Sequence, residues 1–116
     1  MHALLLAAWR EANWFSVGRY VVMPDHVHLF CSPAVNPPEP LVRWTTYWKS
    51  LVARRSPDGE GARLWQRNIW DVQLRRGEDY GEKWHYVFHN PVRAGLVDRP
   101  EAWPYHGELE TLRWHD

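Results

Sequence analysis

The chain has 116 residues, enough for one compact domain with a single core but too few for two. Its 14 Lys and Arg balance its 14 Asp and Glu, so net charge indicates no polyanionic partner, and 45% hydrophobic residues exclude general disorder. A lone cysteine excludes an intramolecular disulfide and a cysteine-cluster zinc site. The lone cysteine leaves a cytoplasmic protein as the expectation. No segment is typical of a signal peptide or a membrane span, so we expect no membrane partner.

The first half of the chain predicts a helix, an interrupted strand and a second helix. Residues 3–12 are rich in helix formers, and residues 16–18 are typical of a turn. The β-branched and aromatic content predicts extended structure over residues 19–32, interrupted near Pro24. A proline-rich loop then leads to a predicted helix over residues 41–55.

The second half begins after the clearest break in the chain, residues 56–62. One or two short strands are predicted around residues 65–74, and a helix over residues 78–90 that Pro91 ends. The remaining tail carries turn signals and no predicted element. The sequence has nine tryptophans. We expect three of them to pack in the core rather than stack on bases, namely Trp44, Trp48 and Trp84.

The segment "PDHVHL" contains two histidines one residue apart, His26 and His28. In a strand, residues i and i+2 face the same side, so the two imidazoles would lie together while Val27 faces the other side. Two neighbouring imidazoles can bind one metal ion. A pair of half-exposed strand histidines would give the same pattern, so the dyad alone leaves both interpretations open.

The segment "HYVFHNPVRAGLV" contains Tyr86 and Asn90, four residues apart. On a helix this spacing puts both side chains on one face, one turn apart. Asn90 can offer a carbonyl oxygen to a hard cation, and Tyr86 can act as an oxygen nucleophile beside it. Alternatively, Tyr86 is a core residue and Asn90 only ends the helix.

Three segments in order, "YVVMPDHVHLF", "LWQRNIWDVQLRRGEDY" and "HYVFHNPVRAGLV", resemble the REP-associated tyrosine transposases. These are single-tyrosine transposases of the HUH endonuclease group, which is named for a His-hydrophobic-His dyad. The resemblance runs from Arg19 to Trp103. It implies an α+β fold, with a ferredoxin-like antiparallel sheet, helices on one face, and the histidine dyad on a central strand.

Members of this family have a strand before the first helix, whereas the predicted first helix of this chain starts at Ala3. The resemblance therefore implies a single, N-terminally shortened domain over residues 1–116 that lacks the first strand. Such a sheet would have an open edge beside the dyad. Since proteins usually cover such edges, we expect the C-terminal tail or a second subunit of a homodimer to cover it.

The resemblance also implies a reaction on single-stranded DNA that lies next to a hairpin. The hydroxyl of Tyr86 would attack a phosphodiester, leaving a 5′-phosphotyrosine link and a free 3′-hydroxyl. His26, His28 and Asn90 would bind Mg²⁺ or Mn²⁺, which drains charge from the scissile phosphate.

Other residues near these motifs have subsidiary roles. Tyr80 lies six residues before Tyr86 and is interpreted as structural, with the role of nucleophile as the alternative. His85 and His89 are interpreted as surface residues. Four basic residues are expected to contact DNA phosphates: Arg75, Arg76, Lys83 and Arg93.

Three hypotheses for the function follow. The first is a DNA-cleaving and joining enzyme of transposase type, and the second is a catalytically weak or inactive remnant that binds DNA hairpins. The third is a small metal-dependent hydrolase that uses the histidine pair without a covalent step. Replacing Tyr86 with Phe would abolish cleavage under the first, change little under the second, and leave hydrolysis running under the third.

Overall fold

The computed structural model describes residues 2–24, 26–56, 73–74 and 80–112, except the side chains of residues 73, 74 and 80. The chain is an α+β protein, as predicted. Its elements in chain order are α1 (His2–Glu11), β1 (Phe15–Val22), β2 (Val27–Pro33), α2 (Leu41–Arg55), β3 (Gln73–Leu74), α3 (Tyr80–Phe88), α4 (Asn90–Arg93), a 3-10 turn (Pro100–Ala102) and β4 (His106–Glu108).

The residues fall into two compact units, and the first contains α1 and α2. Trp44 and Trp48 of α2 are both fully buried. The indole nitrogen of Trp44 donates a hydrogen bond to the Ala12 carbonyl at 2.6 Å, and the ring of Trp48 meets Trp9 of α1 edge-on at 5.7 Å. An exposed ion pair, Arg55 to Glu11, joins the ends of the same two helices at 2.8 Å. Aromatic packing between helices therefore forms the core of this unit.

The second unit contains most of a four-stranded sheet, in the order β3-β2-β1-β4, together with α3 and α4. β1 and β2 are neighbours joined by a four-residue connection, in which the Met23 N–H donates to the His26 carbonyl at 2.7 Å. β4 pairs antiparallel with β1, placing Arg19 opposite Glu108. The two residues of β3 pair parallel with β2, a departure from the antiparallel pattern that was predicted.

The predicted interruption near Pro24 is confirmed, since β1 ends at Val22 and β2 begins at Val27. The predicted turn at residues 16–18 is wrong, because these residues belong to β1. The C-terminal segment explains the error: the N–H groups of Leu109 and Glu110 donate to the carbonyls of Gly18 and Val17. A partner about ninety residues away in sequence thus keeps this stretch extended, which local propensity could not reveal.

The predicted helix over residues 78–90 is two shorter helices. α3 ends at Phe88, and α4 begins at Asn90 with Pro91 in its first turn. Proline has no N–H to continue the helical ladder, but its fixed φ suits a helix start, so it begins α4 instead of only ending α3. α4 ends at Arg93, and Gly95, two residues later, has a φ of +75° that favours glycine. Tyr86 and Asn90 therefore lie on consecutive helices, not on one.

The described C-terminal residues form β4, which pairs with β1 and not with the dyad strand β2. β4 borders β1, while β2 is bordered by β1 and by β3. The expectation that the tail covers the edge beside the dyad is therefore wrong for the described tail residues. Within the described part of the chain no strand precedes α1. The single domain over residues 1–116 and the homodimer remain predictions. No helix among the described residues has the length and apolar character needed to span a membrane.

Candidate active site

The two histidines of the dyad lie next to each other at the start of β2. Their ring centroids are 4.7 Å apart and the ring planes meet at 87°. Both side chains are half-buried, while Val27 between them is fully buried. The strand alternation that the sequence predicts thus brings His26 and His28 together.

The ring of His28 is partly shielded from solvent. Its Nδ1 atom is buried, although the residue as a whole is half-exposed. An ion that arrives from solvent therefore does not reach Nδ1 directly. Imidazole nitrogens of this kind are ligands for divalent transition metals.

The buried face of α3 packs on the sheet face that carries His28. Val87 is buried in one cluster with Val21, Met23 and Phe30, and Trp84 packs against that cluster. Phe30 follows His28 by two residues in β2, so the two side chains leave the strand on the same face. α3 is consequently positioned over the face of the dyad by ordinary hydrophobic packing.

Tyr86 is not part of that core. It is 63% exposed, although its neighbour Val87 is buried, because successive helical residues point about 100° apart. The phenol lines a groove along α3 and α4. The exposure of Tyr86 therefore argues against a packing role. It also leaves the side chain accessible to a phosphate.

Arg93 is the residue that joins the two helices of the tyrosine motif. Its Cζ lies 3.8 Å from the centre of the Tyr86 ring, and its Nη2 donates to the Tyr86 carbonyl at 2.6 Å. Nη2 also donates to Oδ1 of Asn90. From the sequence, Arg93 is predicted to bind phosphate, and this contact is not predicted. Its spacing of three from Asn90 and seven from Tyr86 is a helical signal that could have revealed it.

Asn90 lies at the start of α4 with its side-chain oxygen engaged by Arg93. To bind a metal ion through Oδ1, it would have to exchange this hydrogen bond for the ion. Its role as third ligand therefore remains a prediction. Among the described residues, no group of three or more His, Cys, Asp and Glu side chains is close enough to share a metal ion.

The four predicted DNA-contacting residues are described only in part. Lys83 on α3 and Arg93 on α4 are both exposed. Arg75 and Arg76 lie outside the described residues, and Tyr80, the alternative nucleophile, begins α3 with a side chain that is also outside them. The three tryptophans that were predicted to pack do so, since two are fully buried and the third, on α3, packs against the core.

Cys31 lies on the face of β2 opposite the dyad, and this face is shielded from solvent. The thiol is fully buried, and desolvation raises its pKa from 9.0 to about 12. A thiol of this kind is not a nucleophile near neutral pH, because the thiolate is the reactive form. The chemistry of β2 therefore lies on its histidine face.

Comparison with known proteins finds two curated relatives. A protein of Haemophilus influenzae, named as a candidate REP-associated tyrosine transposase, is 27% identical in an alignment 95 residues long; the match covers 72% of this chain and 53% of that protein. The REP-associated tyrosine transposase of Escherichia coli strain K12 is 25% identical over 91 residues, which cover 78% of this chain and 53% of its own length. The chain thus spans about half the length of the curated relatives it matches.

No protein-family profile matches this chain, and no solved structure does. The two curated relatives carry the same family name as the resemblance in the motifs, which they confirm. In sequence, this chain is related to the REP-associated tyrosine transposases.

Proposed function

We propose that this chain is a metal-dependent, single-tyrosine endonuclease and strand-transferase that acts on single-stranded DNA beside a hairpin, in the cytoplasm. The Tyr86 oxygen attacks a phosphorus atom, a P–O bond forms, and the bond from phosphorus to the upstream 3′-oxygen breaks. The phenol loses its proton and the 3′-oxygen gains one. The resulting 5′-phosphotyrosine link keeps the phosphoryl group ready for transfer to another 3′-hydroxyl.

The observation that carries this proposal is the combination of exposure and position at Tyr86. The residue is 63% exposed on a helix whose buried face packs against the sheet face of His28. A structural tyrosine would be expected to bury its ring. A nucleophile has to be reachable by a DNA phosphate and supported by a fixed framework, and both conditions hold here.

The histidine pair fits a divalent metal ion. Two half-exposed imidazoles lie in ring contact, and the Nδ1 atom of His28 is buried, so a metal ion would be bound through Nε2. Bound at His26 and His28, Mg²⁺ or Mn²⁺ would supply Lewis-acid polarisation of the scissile phosphate. Asn90 would add an oxygen ligand once Arg93 releases its side chain. The incoming DNA offers the means of release, because phosphate oxygens compete for the guanidinium.

A second candidate function is a binding module that recognises DNA hairpins without cutting them. The contact between Arg93 and Asn90 favours it, because Asn90 is withheld from a metal ion while that contact persists. In that case Lys83, Arg93, Arg75 and Arg76 would hold phosphates, and Tyr86 would stack on a base.

The test uses the full chain with labelled single-stranded hairpin oligonucleotides taken from repeats that flank its own gene, with Mn²⁺ or Mg²⁺. The products are resolved on a denaturing gel. We expect metal-dependent cleavage by the wild type, none by Tyr86→Phe, and none by the double variant His26→Ala with His28→Ala. Tyr105→Phe is the matched control, because Tyr105 is also a partly exposed tyrosine, 44% exposed, in the same unit. We expect this variant to cleave normally.

The outcomes separate the hypotheses. Hairpin binding without cleavage in either metal supports the binding module and contradicts the enzyme. Cleavage that survives Tyr86→Phe but not the histidine variant supports a metal-dependent hydrolase without a covalent step. Electrophoretic mobility shifts on the same oligonucleotides show whether each variant still binds DNA.

A further inference from the structure

Two imidazoles outside the dyad occupy one wall of the groove along α3 and α4. The groove has a volume of about 750 Å³. Its lining residues are Gly81, Glu82, His85, Tyr86, His89, Val92 and Arg93. The proposed function gives no role to either of its histidines, which the sequence predicts to be surface residues.

His85 and His89 lie one helical turn apart with their rings in contact. The ring centroids are 4.4 Å apart and the planes are inclined by 48°. The backbone N–H of His89 still donates to the His85 carbonyl at 3.3 Å, so the helical spacing continues through His89 although α3 ends at Phe88. Spacing of four residues on a helix brings two side chains to the same face, where both can bind one ion.

The tautomer of His89 also suits a metal ligand. Its Nδ1 lies 2.8 Å from the His85 carbonyl oxygen. Because a carbonyl oxygen can only accept, Nδ1 carries the proton, and the lone pair of the neutral ring is on Nε2. Histidines that bind metals are commonly fixed in this way, with the other ring nitrogen donating to a backbone carbonyl.

We propose that His85 and His89 form a second divalent-metal site, separate from the dyad, that takes a borderline transition-metal ion such as Zn²⁺. Imidazole pairs suit zinc, nickel and copper better than magnesium. No third His, Cys, Asp or Glu is close enough to complete the site among the described residues, so water fills the remaining positions. The carboxylate of Glu82, in the same groove, adds a favourable negative charge.

A zinc ion at this position shares the groove with the Tyr86 phenol. If the proposed function holds, an ion held there obstructs the approach of a DNA phosphate to Tyr86, and zinc inhibits cleavage. This consequence rests on the proposed function, whereas the metal site itself does not.

Isothermal titration calorimetry of the full chain with zinc sulfate tests the site without DNA. We expect the double variant His85→Ala with His89→Ala to lose one zinc equivalent, or to bind it more than tenfold more weakly. The variant His26→Ala with His28→Ala should keep that equivalent. His106→Ala is the matched control and should keep that zinc equivalent. The Nδ1 atom of His106 also donates to a backbone carbonyl, the one of Trp103, at 2.5 Å.

Thermal unfolding provides a second readout. Zinc should raise the unfolding temperature of the wild type and of the dyad variant, because an ion that binds only the folded chain stabilises it. The rise should be smaller in the variant without His85 and His89, because only the dyad can then bind zinc. Alanine preserves helix propensity, and circular dichroism without metal checks that α3 is retained. Unchanged zinc stoichiometry and affinity in that variant would overturn the proposal, whatever the outcome of the cleavage assay.

Discussion

The buried tryptophans of α2 and the exposed tyrosine of α3 use their aromatic rings in opposite ways. Trp44 and Trp48 of α2 are fully buried, and one of them also bonds a backbone carbonyl through its indole. Tyr86 of α3 is 63% exposed and is covered on one ring face by the Arg93 guanidinium. Burial by a hydrophobic core accounts for the first pattern but not for the second. The difference separates residues that hold the fold from residues available for chemistry.

The largest effect is expected at the buried helix. Trp44→Ala should lower the free energy of unfolding by about 3–5 kcal/mol, because it removes a large buried ring and leaves the Ala12 carbonyl without its indole donor. Urea unfolding of the full chain measures this change.

Val42→Ala is the control on the same helix. Val42 is 77% exposed, so its truncation should change stability by no more than about 0.5 kcal/mol. If Trp44→Ala is too unstable to purify, Trp44→Phe keeps part of the ring and should still be clearly less stable than Val42→Ala. Equal stabilities for the Trp44 and Val42 variants would contradict the contrast.

β2 also has one buried face and one accessible face. The pH dependence of stability tests whether the thiol on the buried face is desolvated. Burial raises the pKa of Cys31 from 9.0 to about 12, so the folded state favours the neutral thiol. Its contribution to stability is complete below pH 9 and is lost as pH rises toward 12. Each pH unit in this window should cost about 1.4 kcal/mol.

Unfolding free energies of the wild type and Cys31→Ala at pH 8, 10 and 11 measure this linkage. The alanine variant lacks the titrating thiol but shares every other group that ionises. Its stability deficit relative to the wild type should therefore shrink as pH rises. A deficit that stays constant would show that the thiol is not desolvated in the folded protein.

A smaller effect is expected at the link between α3 and α4. Arg93→Ala should cost about 1 kcal/mol, since it removes a cation over an exposed ring and hydrogen bonds at the surface. The ring protons of Tyr86 should shift in two-dimensional NMR spectra. Arg93→Lys retains the charge but not the planar stacking. It should therefore show most of the change in the Tyr86 ring-proton resonances that Arg93→Ala shows.

Lys83→Ala is the control for that substitution, because Lys83 is an exposed cation on α3. It should leave both stability and the Tyr86 resonances close to those of the wild type. If Arg93→Ala leaves the Tyr86 resonances unchanged, the two side chains do not associate in solution.

The smallest effect on stability is expected at the proposed nucleophile. Tyr86→Phe should change the free energy of unfolding by no more than about 0.5 kcal/mol, because it removes only the hydroxyl of a side chain that is 63% exposed. Urea unfolding beside Trp44→Ala gives the direct comparison. A loss of several kcal/mol would show that Tyr86 has a structural role.

The sequence predicts local elements well here and long-range ones poorly. Apolar spacing predicts α2 over the residues it occupies, 41–55, and strand alternation predicts that His26 and His28 face the same way. Residues 16–18 were misassigned, since their extended form depends on pairing with the C-terminal segment. The break between α3 and α4 was placed too late because Pro91 begins a helix instead of only ending one.

The candidate site shows the same limit. The types of its residues can be read from the motifs, but the contacts between them depend on packing. The exposure of Tyr86 and the hydrogen bond that occupies Asn90 cannot be read from the spacing of the motif. The bonds from Arg93 to Tyr86 and Asn90 were not predicted, whereas its contact with a DNA phosphate stays a prediction.

The most direct test of the central claim is mass spectrometry of the covalent product. The full chain is incubated with a hairpin oligonucleotide from the repeats beside its gene and Mn²⁺, digested, and searched for a peptide that carries a nucleotide. We predict a 5′-phosphotyrosine adduct on Tyr86. Strand cleavage with no adduct, or with the adduct on Tyr80, would contradict the assignment of Tyr86 as the nucleophile.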